Sequence, residues 1–439
     1  MLAPDLKEVS LPKQTRYRSV RGTEDILPDS QPRWRSVRDV MVSVCERYSY
    51  GQIDTPIFED YNLFVRGVGE VTDIVEKEMY LIPDRSGGDT LALRPEATAA
   101  VCRAYLQHGL HSRPQPVRLY TVMAPMFRYS RPQSGRLRQF HQLNVEAIGD
   151  TDATVDAEIL GLCWQVFTEL GLKGLTLQLN SIGDPVCRPG YVKELRAYYG
   201  DRAGDLCRDC TARLDRAPLR LLDCKEDRCQ PFIEDAPRSR DHLCPDCESH
   251  FADLVGFLES MGVPFDLDHR LVRGLDYYTR TVFEVQTSEE GGQNALGGGG
   301  RYDGLIEEIG GRPTPGVGFA MGIERIILNL ERQAVEAPAP ATPMVFVAYV
   351  GHKARERAVV LSAELVREGV SNMLGPASKS LKAQLRQAGN MRAPFVAIIG
   401  DDEAERGVVT LRNMSEGTQV EASVGELAGL LPRMEPREV

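Results

Sequence analysis

Apolar residues at helical spacing predict several amphipathic helices in the chain. The spacing is clearest over residues 33–48, where a Pro-Asp-Ser run at residues 28–30 supplies a start signal just upstream. Similar spacing predicts helices over residues 153–170 and 322–330. These segments indicate a core that contains helices on at least one side.

Short runs rich in β-branched and aromatic residues predict strands between these helices. The runs cover residues 118–122, 175–179 and 281–285. Strands and helices do not alternate strictly along this part of the chain. The pattern therefore favours an α+β core with a mainly antiparallel sheet.

Beyond a Pro/Ala-rich linker the pattern changes to regular α/β alternation. Strands are predicted at 345–350 and 395–399, with helices at 354–367 and 378–388 between them, so a parallel or mixed sheet covered by helices is expected. A cysteine-rich stretch separately interrupts the first part of the chain. The predicted organisation is a polar leader (1–18), a core in two parts (19–185 and 256–332), an inserted small domain (186–255), the linker (333–343) and a C-terminal α/β domain (344–439).

The composition is that of a globular protein, with 42% hydrophobic and 26% charged residues in 439. No apolar run approaches the length of a membrane-spanning helix, and the first residues lack the apolar centre of a signal peptide, so a cytoplasmic location without membrane association is expected. The net charge of −11 argues against non-specific coating of nucleic acid. Any RNA binding must therefore use local basic patches.

Two glycine-rich segments do not match the common nucleotide-binding motifs. Residues 316–322 have the wrong spacing for a dinucleotide fingerprint, and residues 375–380 lack the glycine that precedes lysine in a phosphate-binding loop. Use of ATP would therefore require a different architecture.

Residues 127–142 read as a strand, a polar loop and a return strand that carry four arginines within eleven residues. The planar guanidinium group binds phosphate oxygens in a bidentate manner, which makes the segment a candidate phosphate site. A solvated, charged hairpin is the alternative. The four arginines are Arg128, Arg131, Arg136 and Arg138.

Three later segments combine small or aromatic residues with an arginine. Residues 271–284 place Arg273 beside two tyrosines, as in a small polar pocket or an ordinary edge strand. Residues 296–304 contain four consecutive glycines, which suit close approach of a ligand to the backbone or a flexible hairpin tip. Residues 316–325 lead from a strand into a helix that begins beside Arg325, where a flat ring could lie against the backbone.

Taken together, these segments resemble the class II aminoacyl-tRNA synthetases, and specifically the histidyl family. The resemblance extends over nearly the whole chain from residue 20. Residues 55–60 resemble the first class motif, which forms the dimer interface in the family; the arginine hairpin resembles the second motif and residues 318–325 the third. The segments 273–278 and 296–304 resemble signatures of the histidyl family itself.

The resemblance implies a homodimeric ligase that activates histidine with ATP and Mg²⁺ and then transfers it to its tRNA. It implies that Arg128 and Arg273 stabilise the α-phosphate in catalysis, that Arg325 covers adenine and reaches the γ-phosphate, and that Arg136 also binds ATP. The family more often has glycine where Ala97 stands. The implied histidine-binding residues are Glu96, Ala97, Thr98, Gln142, Glu146, Tyr277, Tyr278 and Tyr302.

The same resemblance makes the C-terminal region an anticodon-binding domain. Lys379, Lys382 and Arg386 fall at helical spacing and would form a basic face for RNA, or else a solvated helix surface. Arg131, Arg136 and Arg138 are the other candidate tRNA contacts. Two other protein classes compete with the ligase: a regulatory subunit that senses histidine without catalysis, and a zinc-ribbon nucleic-acid binder.

Six of the ten cysteines fall between residues 207 and 247, whereas Cys45, Cys102, Cys163 and Cys187 are isolated in sequence. Two Cys-x-x-Cys pairs have the spacing of zinc ribbons, so a structural zinc is expected in preference to free thiols. Cys224 and Cys229 could substitute for one pair. The predicted ligands are Cys207, Cys210, Cys244 and Cys247.

Overall fold

The computed structural model describes residues 17–69, 72–83, 88, 90–288 and 294–431. The predicted polar leader lies outside the described residues, apart from Tyr17 and Arg18. The chain divides into two compact units, Met1–Pro338 and Ala339–Val439, and the division falls within the stretch predicted as a linker.

The first unit combines a large sheet with helices, as the hydrophobic pattern predicted. Among the described residues, no helix has both the length and the apolarity needed to cross a bilayer. The helices are α1 (Gln31–Arg47), α2 (Tyr61–Val68), α3 (Thr98–Gln107), α4 (Ala153–Glu169), α5 (Arg188–Gly200), α6 (Arg208–Arg216), α7 (Gln230–Glu234), α8 (Pro245–Met261), α9 (Leu305–Glu308) and α10 (Ile323–Arg332). The strands are β1 (Gly51–Gln52), β2 (Phe58–Asp60), β3 (Leu81–Ile82), β4 (Leu91–Leu93), β5 (Val117–Phe127), β6 (Gln139–Ile148), β7 (Leu175–Ser181), β8 (Asp266–Leu267), β9 (Thr279–Thr287), β10 (Ala295–Arg301) and β11 (Gly316–Gly322).

Eight strands within the described residues form one sheet in the order β1-β5-β6-β11-β10-β9-β7-β8. Its six central strands pair antiparallel, and only the two short edge strands pair parallel. The prediction of a mainly antiparallel α+β core is confirmed. A smaller sheet, in the order β2-β4-β3, lies elsewhere in the unit.

Alternation along β6 separates the two faces of the large sheet. Leu143, Val145 and Ala147 are buried in the main hydrophobic core together with residues of α1 and α4. Gln142 and Asn144 lie on the opposite face and line a cavity. One face of the sheet therefore stabilises the fold, while the other remains available for polar chemistry.

Helix α8 crosses the predicted end of the insertion at residue 255. Phe251, Leu254 and Leu258 pack into the main core, so this helix belongs to the core for most of its length. The apolar spacing of α8 continues across the predicted boundary, so residue 255 lies inside a helix and not in a connection between domains. The cysteine-rich region has its own smaller cluster, centred on Tyr191, Leu195 and neighbouring cysteines.

The four consecutive glycines form part of β10, an interior strand between β9 and β11. The alternative of a flexible hairpin tip was therefore wrong. A Cβ atom added at Gly298 would lie 2.6 Å from the carbonyl oxygen of Phe283 and 2.8 Å from Nη1 of Arg273. Glycine is needed here because neighbouring strands and a cavity arginine occupy the space of any side chain.

The second unit is an α/β domain with a mixed sheet. Strand β12 (Val345–Val350) pairs parallel with β13 (Asn372–Leu374) and β14 (Phe395–Gly400), while β14, β15 (Val408–Asn413) and β16 (Gln419–Ser423) form antiparallel pairs. The β15–β16 hairpin was not predicted. The helices are α11 (His352–Arg367), α12 (Leu381–Asn390), α13 (Asp401–Arg406) and α14 (Val424–Leu430).

Candidate active site

A polar cavity of about 290 Å³ lies over the open face of the large sheet. Its walls come from β6, β9, β10 and β11, from the start of α3 and α10, and from the loops at each end of these elements. Most residues predicted to bind histidine or ATP share this one cavity. Those that line it are Glu96, Thr98, Arg128, Arg136, Gln142, Arg273, Tyr277, Tyr278, Tyr302 and Arg325.

The three arginines predicted to be catalytic are held by fixed acceptors. Arg128 Nε donates to the carbonyl oxygen of Pro95 at 3.0 Å. Arg273 Nη1 donates to a Glu284 carboxylate oxygen at 2.6 Å. Arg325 Nη1 donates to the carbonyl oxygen of Ala295 at 2.7 Å, and its Nε donates to that of residue 135 at 2.9 Å. Because these contacts orient the guanidinium planes beforehand, little conformational entropy remains to be lost on binding an anion.

The arginines are close enough to influence one another electrostatically. Burial lowers the pKa of Arg325, and the positive charges of Arg136, Arg128 and Arg273 lower it further, against the opposing effect of Glu284. Arginine stays protonated despite such shifts. The cavity therefore concentrates positive charge, which a polyphosphate would neutralise.

A buried carboxylate lies beneath the cavity. Glu146 is 1% exposed and accepts hydrogen bonds from the hydroxyl groups of Thr98 at 2.7 Å and Tyr302 at 2.6 Å. Burial raises the pKa of Glu146 to about 8, although both hydroxyl donors act to lower it. A Cβ atom at Gly318 would lie 2.0 Å from Glu146 Oε2, so this glycine makes room for the carboxylate.

Glu96 caps the first turn of α3. Its carboxylate accepts from the backbone amides of Thr98 at 2.7 Å and Ala99 at 2.9 Å, and burial raises its pKa. Ala97 is fully buried and is not among the residues lining the cavity. The side chain of Ala97 packs with Ala124 and Met126, so any part of Ala97 in histidine binding would fall to its backbone.

Gln142 and three tyrosines complete the polar wall. The side-chain oxygen of Gln142 is buried and accepts no hydrogen bond from any described residue. The ring centroids of Tyr277 and Tyr278 lie 4.6 Å apart, and those of Tyr277 and Tyr302 lie 5.9 Å apart. An unpartnered acceptor beside aromatic rings suits a small ligand that carries both N–H donors and a flat ring.

Several supporting residues were missed by the sequence prediction. Glu284 lines the cavity and orients Arg273. Glu324 also lines it and accepts from the backbone and ring of His141, at 2.9 and 2.8 Å. Glu284 and Glu324 lie in the predicted segments 271–284 and 316–325. For Glu284, the alternation of side chains along a strand indicates which face of the sheet it occupies, but no such signal was available for Glu324.

Arg301 is another missed positioning residue. It is fully buried and forms ion pairs with Asp156 and Asp303. Such a buried pair needs near-complete hydrogen bonding to be tolerated, and Arg301 also donates to the carbonyl oxygen of Asp150. The network fixes the end of β10 next to Tyr302.

The arginines of residues 128–138 lie partly inside and partly outside the cavity. Arg136 lines the cavity and pairs with Glu78 at 2.7 Å. Arg131 and Arg138 do not line it. Arg131 is exposed, whereas Arg138 donates to the carbonyl oxygen of Ser130 and lies 4.2 Å over the ring of Tyr129.

The predicted basic face of the second unit is exposed but is organised differently. Helix α12 begins at Leu381, so Lys379 precedes it instead of lying within it. Lys379 Nζ nevertheless donates to the side chain of Gln387 at 3.3 Å, which keeps it near the helix. Lys382 and Arg386 are exposed on α12 itself.

The cysteines form two separate clusters. Cys207 and Cys210 lie with Cys224 and Cys229 in the first cluster, where the four sulfur atoms are all within 4.8 Å of one another. The same limit of 4.8 Å holds for the ligand atoms of the second cluster. Cys244 and Cys247 instead lie with Asp184 and Cys187. The predicted single site of Cys207, Cys210, Cys244 and Cys247 was wrong, because equal Cys-x-x-Cys spacing does not determine which pairs meet in the fold.

Family models match both units of the chain. A model described as histidyl-tRNA synthetase matches residues 22–185 and 234–326. A second model, described as anticodon binding domain, matches residues 344–434. The interval between the two parts of the first match, residues 186–233, covers most of the predicted insertion.

Known proteins are similar over nearly the whole length. The chain is 53% identical over 411 residues to a histidine--tRNA ligase of Dehalococcoides mccartyi, which covers 94% of the chain and 98% of the relative. It is 48% identical over 407 residues to the protein of the same name from Desulforamulus reducens, covering 93% of the chain and 97% of the relative. The crystal structure of apo S. aureus histidyl-tRNA synthetase is 34% identical, with a TM-score of 0.78, covering 94% of the chain and 99% of that structure.

Proposed function

The chain belongs to the histidyl-tRNA synthetase family and is a histidine–tRNA ligase, and from this premise we propose that the polar cavity is where histidine is adenylated. The observation that supports this most directly is the shared cavity itself. It combines the mutually repelling Arg128, Arg273 and Arg325 with the unpartnered oxygen of Gln142 above the buried carboxylate of Glu146.

Activation needs charge stabilisation more than a protein nucleophile. A carboxylate oxygen of histidine forms a bond to the α-phosphorus of ATP, and the bond from that phosphorus to the bridging oxygen breaks, releasing pyrophosphate. Negative charge grows on the phosphoryl oxygens during this exchange. Arg128 and Arg273 would stabilise it, while Arg325 would hold adenine and the terminal phosphate. A terminal ribose hydroxyl of tRNA then displaces AMP.

Selection of histidine would depend on the buried polar groups at the cavity, among them the hydroxyl of Tyr302 and the carboxyl group of Glu146. Imidazole offers one donor and one acceptor in its neutral form. Burial raises the pKa of Tyr302 well above its usual value, so its hydroxyl stays a donor, as in the bond to Glu146. A smaller or apolar side chain would leave these buried groups unpaired, which is why such a pocket can reject it strongly.

Magnesium fits this site as part of the nucleotide. Among the described residues, the cavity carboxylates of Glu284 and Glu324 already pair with Arg273 and His141. Mg²⁺ commonly keeps its waters and binds through substrate phosphates. We therefore propose that Mg²⁺ enters with ATP, where it would neutralise phosphate charge.

Histidine-dependent pyrophosphate–ATP exchange tests the proposal. Purified protein should incorporate labelled pyrophosphate into ATP with L-histidine and not with the other amino acids. Histidine binding without any exchange would instead indicate the regulatory alternative. That alternative is weakened because Arg128, Arg273 and Arg325 share the cavity and an anticodon-binding domain is present.

Contacts with tRNA are proposed for basic residues outside the cavity, of which Arg131, Lys379, Lys382 and Arg386 are exposed and Arg138 is partly buried. Arg131 and Arg138 belong to the loop whose other arginines face the substrate, so they are placed to meet the acceptor end as it approaches. In the second unit, Lys382 and Arg386 project from α12 with Lys379 beside them. Such charges attract the phosphate backbone without reading sequence.

A homodimer is proposed through the small three-stranded sheet. Phe58 and Leu81 on β2 and β3 are 49% and 53% exposed, and neighbouring Ile57 and Ile82 are also exposed. Contiguous exposed apolar groups of this size commonly mark an interface. Residues 55–60 also carry the resemblance to the motif that forms the family's dimer interface.

Phe58→Asp should convert the dimer to a monomer, because it would bury an unpaired charge in the proposed interface. Sedimentation velocity across a range of concentrations would measure the change. Val359→Asp is a matched control, since Val359 is 53% exposed on α11 of the other unit, and it should leave the sedimentation coefficient unchanged. A wild-type chain that sediments as a monomer would contradict the proposal.

A structural zinc is proposed for Cys207, Cys210, Cys224 and Cys229. Zinc–sulfur bonds of about 2.3 Å in a tetrahedron separate the sulfurs by about 3.8 Å. The sulfurs of Cys207 and Cys224 lie 3.9 Å apart, and the four cysteines are buried within the insertion's own core. Four reduced thiols also suit the cytoplasm, which we propose as the compartment.

A further inference from the structure

A second cluster of thiols lies where the insertion leaves and rejoins the core. Asp184 and Cys187 stand between β7 and α5, while Cys244 and Cys247 stand at the start of α8. We propose that this cluster is a separate metal site, for a thiolate-binding divalent cation of the Zn²⁺ class, and that it clamps the two ends of the insertion together.

The distances within the cluster agree with tetrahedral coordination. The sulfurs of Cys187 and Cys247 lie 3.8 Å apart, close to the separation of about 3.8 Å that two zinc-bound thiolates require. Asp184 Oδ1 lies 3.4 Å from the Cys187 sulfur and 4.0 Å from the Cys244 sulfur. A zinc-bound oxygen and sulfur should be about 3.5 Å apart. All four ligand atoms, one from the carboxylate and three from the thiols, lie within 4.8 Å of one another.

The backbone around the cluster is arranged to hold these ligands. Asp184 Oδ1 accepts from the amides of Val186 at 2.9 Å and Cys187 at 3.2 Å, which fixes the carboxylate. Gly183 has a positive φ of 67°, and a Cβ atom there would lie 2.7 Å from the Cys187 sulfur. Cys244 is the N-cap residue of α8 and Cys247 lies in the first turn, so the helix holds these two thiols next to each other.

Disulfide formation is a weaker explanation of the cluster. A disulfide requires sulfurs about 2.05 Å apart, whereas Cys187 and Cys247 are separated by 3.8 Å. A disulfide would also use two thiols and leave the third cysteine and Asp184 without a role. Ion binding uses all four groups. Arg280, 3.5 Å from Asp184, would offset part of the site's negative charge.

The clamp would also bear on the histidine pocket. Arg188 directly follows Cys187 and donates to the carbonyl oxygens of Gly183 at 2.9 Å and Tyr278 at 2.7 Å. Tyr278 lines the cavity. A metal that fixes Cys187 would therefore fix the position of Arg188, and through it the backbone of the tyrosine segment.

Metal content of the full-length protein tests this proposal independently of ligase activity. Protein purified with thiol reductant and without chelator, then loaded with Zn²⁺ alone and desalted, should retain two zinc ions per chain by inductively coupled plasma mass spectrometry. Cys244→Ser/Cys247→Ser should retain one, and so should the matched pair Cys207→Ser/Cys210→Ser. Cys163→Ala removes a thiol in the main core and should retain two.

X-ray absorption at the zinc edge identifies the second site even if Cys244→Ser/Cys247→Ser does not fold. In Cys207→Ser/Cys210→Ser only the second site remains complete, so its zinc should show three sulfur neighbours and one oxygen. A wild-type chain with a single zinc that Cys244→Ser/Cys247→Ser retains would overturn the proposal. A four-sulfur shell in Cys207→Ser/Cys210→Ser would overturn it as well.

Discussion

Arg273→Ala should slow histidine-dependent pyrophosphate–ATP exchange by about 10²–10³-fold, equivalent to about 2.7–4 kcal/mol of lost transition-state stabilisation. Arg273 lines the cavity and is held by Glu284 at 2.6 Å, so its charge is in place before ATP binds. The loss should appear mainly in kcat, because the negative charge that it stabilises develops in the transition state. Arg273→Lys should recover only part of the rate, since lysine lacks the planar fork.

Two further variants separate catalysis from side effects of the substitution. Arg273→Ala leaves the Glu284 carboxylate without its arginine partner, so Arg273→Ala/Glu284→Gln shows how much of the loss comes from that unpaired charge. Arg270→Ala is the matched control, because Arg270 is exposed and pairs with Asp268 outside the cavity. An unchanged kcat in Arg273→Ala would contradict the proposed mechanism.

Glu146→Gln should weaken histidine binding by about 10–100-fold, consistent with loss of a charge-assisted hydrogen bond worth about 1.5–3 kcal/mol. Glutamine keeps the size of the side chain but cannot become the carboxylate that a bound cation favours. The KM for ATP should change much less, because the side chain of Glu146 is held by the hydroxyl groups of Thr98 and Tyr302 and not by the arginines proposed to bind ATP. Isothermal titration calorimetry with L-histidine measures the change.

Histidine binding should also release a proton at neutral pH. Burial raises the pKa of Glu146 to about 8, so the free protein holds its carboxyl group mainly protonated at pH 7. The ammonium group of the ligand favours the carboxylate and lowers this pKa on binding. Affinity should therefore rise as pH increases from about 6.5 towards 8. Calorimetry in buffers of different ionisation enthalpy should detect the released proton in wild type and not in Glu146→Gln.

The raised pKa of Glu146 also affects the stability of the folded chain, which should fall as pH rises, whereas the affinity for histidine should increase. Because the folded pKa of Glu146 lies above the ordinary 4.5, the folded chain binds this proton more tightly than the unfolded chain. Its contribution to the free energy of unfolding is fully present below pH 4.5 and is lost as pH rises through 8. Glu158→Gln is a control for proton release, since Glu158 also accepts from a tyrosine hydroxyl, that of Tyr50, but pairs with Arg118 instead of contacting Thr98 and Tyr302. A proton released equally by wild type and Glu146→Gln would rule out Glu146 as its source.

Local patterns were sufficient to predict much of the fold. Apolar spacing located α4 to within one residue of its end, and the β-rich run at 345–350 matches β12. Such elements depend mainly on which face of a segment is apolar, and that information lies within the segment. The mixture of strands and helices likewise indicated an antiparallel core, because it lacked strict alternation.

Contacts between distant segments were beyond such patterns. The glycines of β10 have no side chains to show hydrophobic alternation, so a central strand resembled a loose hairpin. The Cys-x-x-Cys pairs were read as partners, although Cys187, isolated in sequence, is a neighbour of Cys247 in the fold. Helix α8 passed through a boundary that composition alone had suggested.

The amino-acid sequence alone therefore determined the family and the kind of chemistry, and it predicted most of the polar residues that line the cavity, because these depend on side-chain types at local spacings. The tertiary structure decided how those residues combine: that Arg128, Arg273 and Arg325 share one cavity, that Ala97 faces the core, and that the cysteines divide into two clusters. The physical reason is that sheet pairing and loop closure bring together segments far apart in the chain, and no local period carries that information.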